Sequence, residues 1–510
     1  MSYSASIDRL LLGLDPNQIE AVCSDARVLR VIAGPGSGKT RVLTSRIAYR
    51  ILTGTAQAQR CLAVTFTRSA AAELRQRLTA LAASGTEHLG NAVSAGTIHS
   101  IALAMLKQYW SDASSGGSAV IDRDELLGRL VSAAGSPGLP SSIRISDASL
   151  EIGWAKARQL TFEQYSESAT AMGRLDTTAA RRLGEFMAFY ESEKKRKRVI
   201  DFDDILVHCA AALESDSSFA TRQRWRLRHL FIDETQDLTP LQFHLIGLWI
   251  GDDPDLFVVG DPRQSIYSWS GADSGIIDSL DGRFGSATTV YLDKNYRSCS
   301  ELVACARSFE IQRLADTMAA AESVRGPAGT SPLIHRSTDD YAEAKLIAKL
   351  LSRERDVRVS WSSMGVLTRT NAQLPIIASA LTSAGIPIAG DKDNEKGVTL
   401  STFHKAKGKE WQVVVLAGAE DGLIPSSESQ MPEEEARLFF VAITRASRQL
   451  HITWCESRSK RQRSISPYLE ALGLDSATGR AGSTEASSLQ LEEGIQRLKA
   501  IRSSLSGKKS

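Results

Sequence analysis

Short apolar runs recur along the chain, and each is followed by a polar loop. They fall at residues 28–32, 61–66, 229–232, 256–259, 364–367 and 413–417. Between them lie segments with apolar residues at helical spacing, including 41–49, 70–81 and 241–250. Unbroken apolar runs of this length predict strands buried on both faces, and their alternation with helices predicts α/β domains built on parallel sheets. The stretch 106–199 differs. It is helical and charged, and Ser/Gly/Pro-rich pieces at 111–118 and 135–142 interrupt it, so it reads as a helical insertion into the first α/β domain. Residues 476–488 turn to Ser, Gly, Ala and Thr, as in a flexible linker. Beyond them Leu491, Ile495, Leu498 and Ile501 stand at helical spacing, a tail helix that either frays or docks a protein partner.

A chain of 510 residues is too long for one core, and length alone suggests roughly three or four domains. The net charge of +2 hides basic clusters at 193–198, 222–229 and 458–463, each a solvated surface or a nucleic-acid contact. The six cysteines contain no C-x-x-C, which points away from a zinc ribbon or a four-cysteine cluster and toward reduced thiols. No apolar run reaches membrane-spanning length, and the N-terminus lacks a signal-peptide layout. A soluble, cytoplasmic protein without membrane contact is expected.

Residues 33–40, Ala-Gly-Pro-Gly-Ser-Gly-Lys-Thr, join an apolar strand to a helical pattern. In that order, backbone N–H groups of Gly34, Pro35's neighbours, Gly36, Ser37 and Gly38 converge with the helix N-terminus on phosphates. Lys39 would reach the β- and γ-phosphates, Thr40 would hold Mg²⁺, and Arg41 follows at the site's edge. Ala33 stands where the pattern usually opens on glycine, which is tolerable because the close approach falls on Gly36 and Gly38. An NTP, ATP with Mg²⁺, is the expected ligand. Downstream, Phe231-Ile232-Asp233-Glu234-Thr235-Gln236-Asp237 places two carboxylates at a strand end. Asp233 becomes the metal partner of Thr40, and Glu234 is placed to orient and deprotonate water.

From about residue 10 to about 470 the chain resembles the UvrD/Rep/PcrA group of superfamily 1 DNA helicases. Residues 14–18 (LDPNQ) resemble the Q motif and 201–204 (DFDD) a family segment near the end of the insertion. Residues 259–269 (VGDPRQSIYSW), 295–298 (NYRS), 402–411 and 434–446 resemble motifs III, IV, V and VI. The resemblance implies two RecA-like lobes: residues 1–105 with 200–290 as the ATP-binding lobe, 106–199 as its insertion, and 291–470 as the second lobe, with 471–510 a tail. It implies that Gln18 reads adenine, Tyr296 stacks on it, Glu410 contacts ribose, and Gln264 senses the γ-phosphate. Arg297 and Arg445 act as the cationic fingers, which places ATP between the lobes. Phe66, Thr67, Tyr267 and Trp269 would face single-stranded DNA, with buried core as the alternative for Phe66 and Trp269. The matched pair Thr97-Ile98-His99 and Thr402-Phe403-His404 reads as one phosphate contact per lobe, with a structural histidine as the alternative at His99.

The chain departs from the family pattern in several places. Arg68-Ser69 stands where Asn-Lys is usual, Ser270 replaces an arginine, and Lys409 replaces a leucine. Where relatives carry a large mobile domain, residues 385–397 form only a short polar connection. The implied function is an ATP-dependent 3′→5′ DNA helicase and single-strand translocase serving repair, replication or recombination. It would act as a monomer on single strands and single-strand/duplex junctions. A motor subunit of a larger recombination or nuclease complex, or an inactive scaffold, is the alternative.

Overall fold

The computed structural model describes residues 3–83, 92–113, 116–314, 321–327, 331–390 and 396–474. The expected linker and tail helix beyond 474 lie outside the described residues. The chain divides into two compact units, Met1–Asp293 and Lys294–Ser510.

The first unit carries β1 (Val28–Ala33), β2 (Cys61–Thr65), β3 (Ser94–Thr97), β4 (Ala119–Val120), β5 (Val199–Ile200), β6 (His229–Ile232), β7 (Leu256–Gly260) and β8 (Thr288–Leu292). Its sheet is parallel and six-stranded, in the order β3-β2-β6-β7-β1-β8. Strand residues alternate between two apolar layers. Leu62, Val64, Leu230 and Ile232 pack on one face, and Cys61, Ala63, Phe231 and Val259 on the other, as the period of two requires when both faces are covered.

The insertion is narrower than the sequence suggests. Helix Ile98–Asp112 runs through the expected start at 106, and its Met105 and Leu106 belong to the sheet's own core. A separate core, including Leu127, Trp154, Tyr165, Leu183 and Tyr190, begins only after the two-stranded ladder of β4 with β5 closes the insertion's base. Helices Arg123–Leu130, Ile145–Ala157, Phe162–Ala171 and Thr177–Lys197 make it up.

The second unit carries β9 (Lys294–Asn295), β10 (Glu322–Ser323), β11 (Leu333–Asp339), β12 (Met364–Thr368), β13 (Thr399–Thr402), β14 (Trp411–Ala417), β15 (Ala446–Arg458) and β16 (Arg461–Gln462). Its main sheet runs β11-β15-β14-β12-β13 in parallel, with β16 antiparallel to β15. Helix Leu374–Ser383 leads to β13 through the expected short connection, where Ile388 bridges Val398. Two α/β units on parallel sheets match the predicted fold class.

Candidate active site

The motif residues of the first unit gather at the C-terminal ends of its strands, where open α/β sheets bind ligands. After β1 the chain turns through Gly36 (φ 73°) and Gly38 (φ 82°) into helix Lys39–Leu52. Lys39 Nζ donates to Ala33 O (2.9 Å) and Gly34 O (3.1 Å), which folds the ammonium back over the loop. Ser37 Oγ donates to Gly34 O at 2.7 Å. A Cβ at Gly34 would fall 2.9 Å from Arg263 Nη2, so the motif III guanidinium lies directly against the phosphate loop.

Gln18 is buried, and both ends of its amide are committed. Nε2 donates to Ser37 O (2.9 Å), and Oε1 accepts from Asp15 N (3.2 Å) in the cap of helix Pro16–Cys23. In this structure it braces the phosphate loop; the adenine role implied by resemblance requires those bonds to be exchanged.

After β6, Asp233 is buried, and its Oδ1 accepts from Glu234 N at 2.9 Å. Burial, then the neighbouring Glu234 charge, pushes its carboxyl up to about 7 against the pull of Lys39. A buried acid held this far up, beside a second acid and within the field of Lys39, suits a divalent cation, whose charge would return it to the carboxylate form. The donor set of one carboxylate and one hydroxyl fits Mg²⁺ in a phosphoryl-transfer site.

Glu234 has a left-handed backbone, φ 52° and ψ 44°. Its carboxylate accepts from Gln236 Nε2. Gln236 Oε1 accepts from Asp261 N at 2.9 Å, and Ser265 Oγ donates to Gln236 O at 3.0 Å. Asp261 also accepts from Gln264 Nε2 (2.7 Å) and Arg263 Nε (2.7 Å). Burial alone would raise the Asp261 carboxyl, but Arg263, Lys39 and these hydrogen bonds hold it below the usual range. The acid pair and the proposed γ-phosphate sensor therefore form one continuous network. Gln236, Asp261 and Arg263 in it were not assigned roles from sequence, because only the fold shows which polar groups meet.

Motif III continues into aromatic residues. Phe66 stacks on Tyr267 with centroids 5.2 Å apart and planes at 15°, and Tyr267 meets Trp269 edge-on at 6.3 Å. Phe66 and Trp269 are 41% and 38% exposed, so neither is a core side chain and each presents ring surface to solvent. Thr67 N-terminates the following helix, its Oγ1 accepting from Ala70 N at 3.1 Å. Arg174 from the insertion donates to Trp269 O (3.1 Å) and lies 4.4 Å over Trp154, anchoring the aromatic turn to the insertion.

A cavity of about 300 Å³ lies at the C-terminal ends of β2, β3 and β6. Its lining includes Asp233 and Glu234 together with Phe66, His99 and Phe202. Phe202 is 50% exposed and stacks on His99 at 4.1 Å. It was visible in sequence only as the aromatic of the DFDD segment. Its loop is clamped by buried charges. Arg123 pairs with Asp203 (2.5 Å) and Asp201 (3.1 Å), while Lys156 pairs with Asp201 (2.7 Å) and Asp204 (2.6 Å). Lys194, read from sequence as part of a surface run, is buried on Asp204 and Glu191. Runs of cations look alike in sequence; burial separates this one.

In the second unit, Arg297 Nε lies 2.5 Å from Glu410 Oε2, so the motif IV arginine and the proposed ribose contact meet. Tyr296 precedes that arginine, and its carbonyl accepts from Arg325 Nε at 3.0 Å. Arg445 is buried, donating to Val441 O (2.8 Å), Lys409 O (3.3 Å) and Thr444 Oγ1 (3.1 Å). Reaching a phosphate requires it to leave these acceptors. His404 follows β13 as His99 follows β3, each one residue into a helix capped by threonine. Burial, reinforced by Arg369, lowers the His404 imidazole to about 4.

The described residues include no helix long and apolar enough to cross a membrane. Family models match most of the chain: the UvrD/REP helicase N-terminal domain over residues 14–285, and the UvrD-like helicase C-terminal domain over 290–395 and 389–457. The ATP-dependent DNA helicase UvrD2 of Mycobacterium tuberculosis is 31% identical, covering 89% of this chain and 80% of that protein. The ATP-dependent DNA helicase PcrA of Leuconostoc citreum is 29% identical over 77% of this chain and 52% of its own length. A solved C-terminal domain of a possible DNA helicase from Lactobacillus plantarum matches over 36% of this chain and 95% of that one, at 17% identity and a TM-score of 0.27.

Proposed function

The chain belongs to the UvrD/REP helicase family, and on that premise we propose that it is an ATP-driven DNA helicase moving 3′→5′ along one strand. The observation that carries the reading is the cavity lined both by the acid pair Asp233 and Glu234 and by the side chains of Phe66 and His99.

Lys39 would bind the β- and γ-phosphates, and Thr40 with Asp233 would hold Mg²⁺, which neutralises charge on those oxygens. Glu234 orients the attacking water and takes its proton. Gln264, held by Asp261, touches the γ-phosphate, and its change of partner passes through Gln236 and Ser265 to Tyr267 and Trp269. Arg297 and Arg445 supply the positive charge that such transfers use, a contribution of about 10³–10⁵ in rate. Strand contacts are Phe66, Thr67, Tyr267, Trp269 and His99 in the first unit and His404 in the second. With only 385–397 in place of the relatives' large insertion, duplex affinity is weak and the monomer is foremost a single-strand translocase of the cytoplasm.

Strand displacement on duplexes bearing a 3′ or a 5′ single-stranded tail tests this reading. ATP-dependent displacement from the 3′-tailed substrate alone is expected; displacement from only the 5′-tailed substrate overturns the polarity. No DNA-stimulated ATP hydrolysis at all overturns the motor itself.

A further inference from the structure

The basic run at 222–229 takes no part in the site above, and it surrounds an exposed tryptophan. Trp225, near the end of helix Ser217–Arg226, is 67% exposed. Arg60 lies over its ring, the guanidinium carbon 4.9 Å from the centroid, and donates Nε to Trp225 O at 2.7 Å. This cation–π contact and hydrogen bond hold the indole in one pose while leaving most of its surface in water. Helical spacing sets Arg222 beside Trp225 and in line with Arg226. Both arginines are exposed.

The face is remote from the cavity. Cys61 of β2 pairs with His229 of β6, so Arg60 and helix Ser217–Arg226 lie at the strands' N-terminal ends. Phe66 and Asp233 follow the C-terminal ends of the same two strands, which puts roughly 16 Å of β-strand between the two regions.

The charge here is also less compensated than that of the neighbouring arginines. Arg27 and Arg228 share Asp253, and Arg50 is bound to Asp255 by two hydrogen bonds. Arg222, in contrast, reaches only exposed Asp112 at 3.3 Å, and Arg226 makes no hydrogen bond or ion pair among the described residues. An exposed pair such as Arg222–Asp112 is weak.

We propose that this face is a second single-strand nucleic-acid site, in which a base stacks on Trp225 and flanking phosphates take Arg222 and Arg226. A planar base and its phosphates match both features together, whereas an acidic peptide would answer the guanidiniums and leave the indole without a flat partner. Binding here needs neither ATP nor directional movement, so it stands apart from the motor reading.

The test is titration of the full chain with labelled oligothymidylate of about eight nucleotides, short enough for one contact. Wild type is expected to take two oligonucleotides per chain. In Trp225→Ala, and independently in Arg226→Glu, the weaker of the two sites should lose about 10-fold or more in affinity. DNA-stimulated ATP hydrolysis should stay at the wild-type level in both, since neither residue touches the motor site. Wild-type binding, of one oligonucleotide or two, that neither Trp225→Ala nor Arg226→Glu weakens overturns the proposal. So does poly-glutamate that binds more tightly than oligothymidylate and depends on Trp225, which would assign the face to an acidic protein segment. A chain inactive as a motor but still showing the Trp225-dependent site would sink the motor reading and leave this one standing.

Discussion

Glu234 occupies a left-handed backbone that side chains other than glycine adopt at a cost of order 1–3 kcal/mol. Gln236 and the Asp233 carboxylate hold it there, which aims the acid into the cavity rather than along the strand. Gln159, Arg198, Ser459 and Lys460 share the positive φ, but of these five Glu234 alone follows a sheet strand beside a buried acid. Glu234→Gln preserves the side chain's shape and removes its basicity. We expect ATP turnover to fall at least about 10²-fold, the range of a lost general base, while nucleotide binding and the thermal midpoint stay near wild type. Single-turnover hydrolysis alongside fluorescent-nucleotide titration checks this, and near-normal turnover would remove Glu234 from its role. The place of this acid, just beyond a buried strand, was legible in sequence from the apolar run before it. Its backbone conformation was not, because φ depends on the hydrogen bonds that Gln236 and motif III bring from elsewhere in the chain.

Whole strands and helices were more legible than the polar groups between them. The expected helix at 241–250 is observed at Pro240–Ile250, and the expected strand at 413–417 at Trp411–Ala417, since apolar period reports burial directly. Charge runs report nothing of the kind. Lys194 and Lys195 are adjacent in one run, yet only Lys194 turns inward, over the Tyr190 ring and onto Asp204. Likewise Arg458, grouped by sequence with a surface run, is buried between Glu343 and Glu420. Removing one partner of a buried pair leaves a charge without compensation. Lys194→Met should therefore reduce unfolding free energy by about 3–5 kcal/mol, against within about 0.5 kcal/mol for Lys195→Met. Because this cluster holds the loop bearing Phe202, single-strand affinity should also drop in Lys194→Met alone. Urea unfolding and oligonucleotide binding on the two variants decide it; equal effects would show that the cluster is dispensable.

The two units should part company in acid. In the second, His335 Nε2 and His451 Nδ1 share a hydrogen bond at 3.0 Å between β11 and β15. Burial lowers both imidazoles to about 4, with the neighbouring histidine and Arg353 adding to the effect at His335 and Arg353 at His451. His404 is held equally low. In each case the folded pKa lies below the ordinary value near 6.5, so the folded unit binds fewer protons than the unfolded chain. Their contribution is complete above about pH 6.5 and is lost as pH falls toward 4. The first unit is governed differently. Its buried Asp201 and Asp255 are held far below the usual carboxylate range: the lysine and arginine partners of Asp201, and the hydrogen bonds from His229 and Arg50 to Asp255, outweigh burial. What these acids contribute persists until the pH drops under about 3.8, where the unfolded carboxylates begin to protonate. Of the imidazoles shown to be lowered, the first unit has one, His208, against three in the second. Between pH 6.5 and 4.5 the second unit should therefore lose stability well ahead of the first. Hydrogen exchange followed peptide by peptide at pH 7 and pH 5 should show protection falling across β11, β14 and β15 while β1, β6 and β7 hold. In His335→Gln/His451→Gln the fall should shrink, since neither side chain then titrates. Protection lost first from β1, β6 and β7 would mean that carboxylates, not the imidazole pair, set the acid limit of this chain.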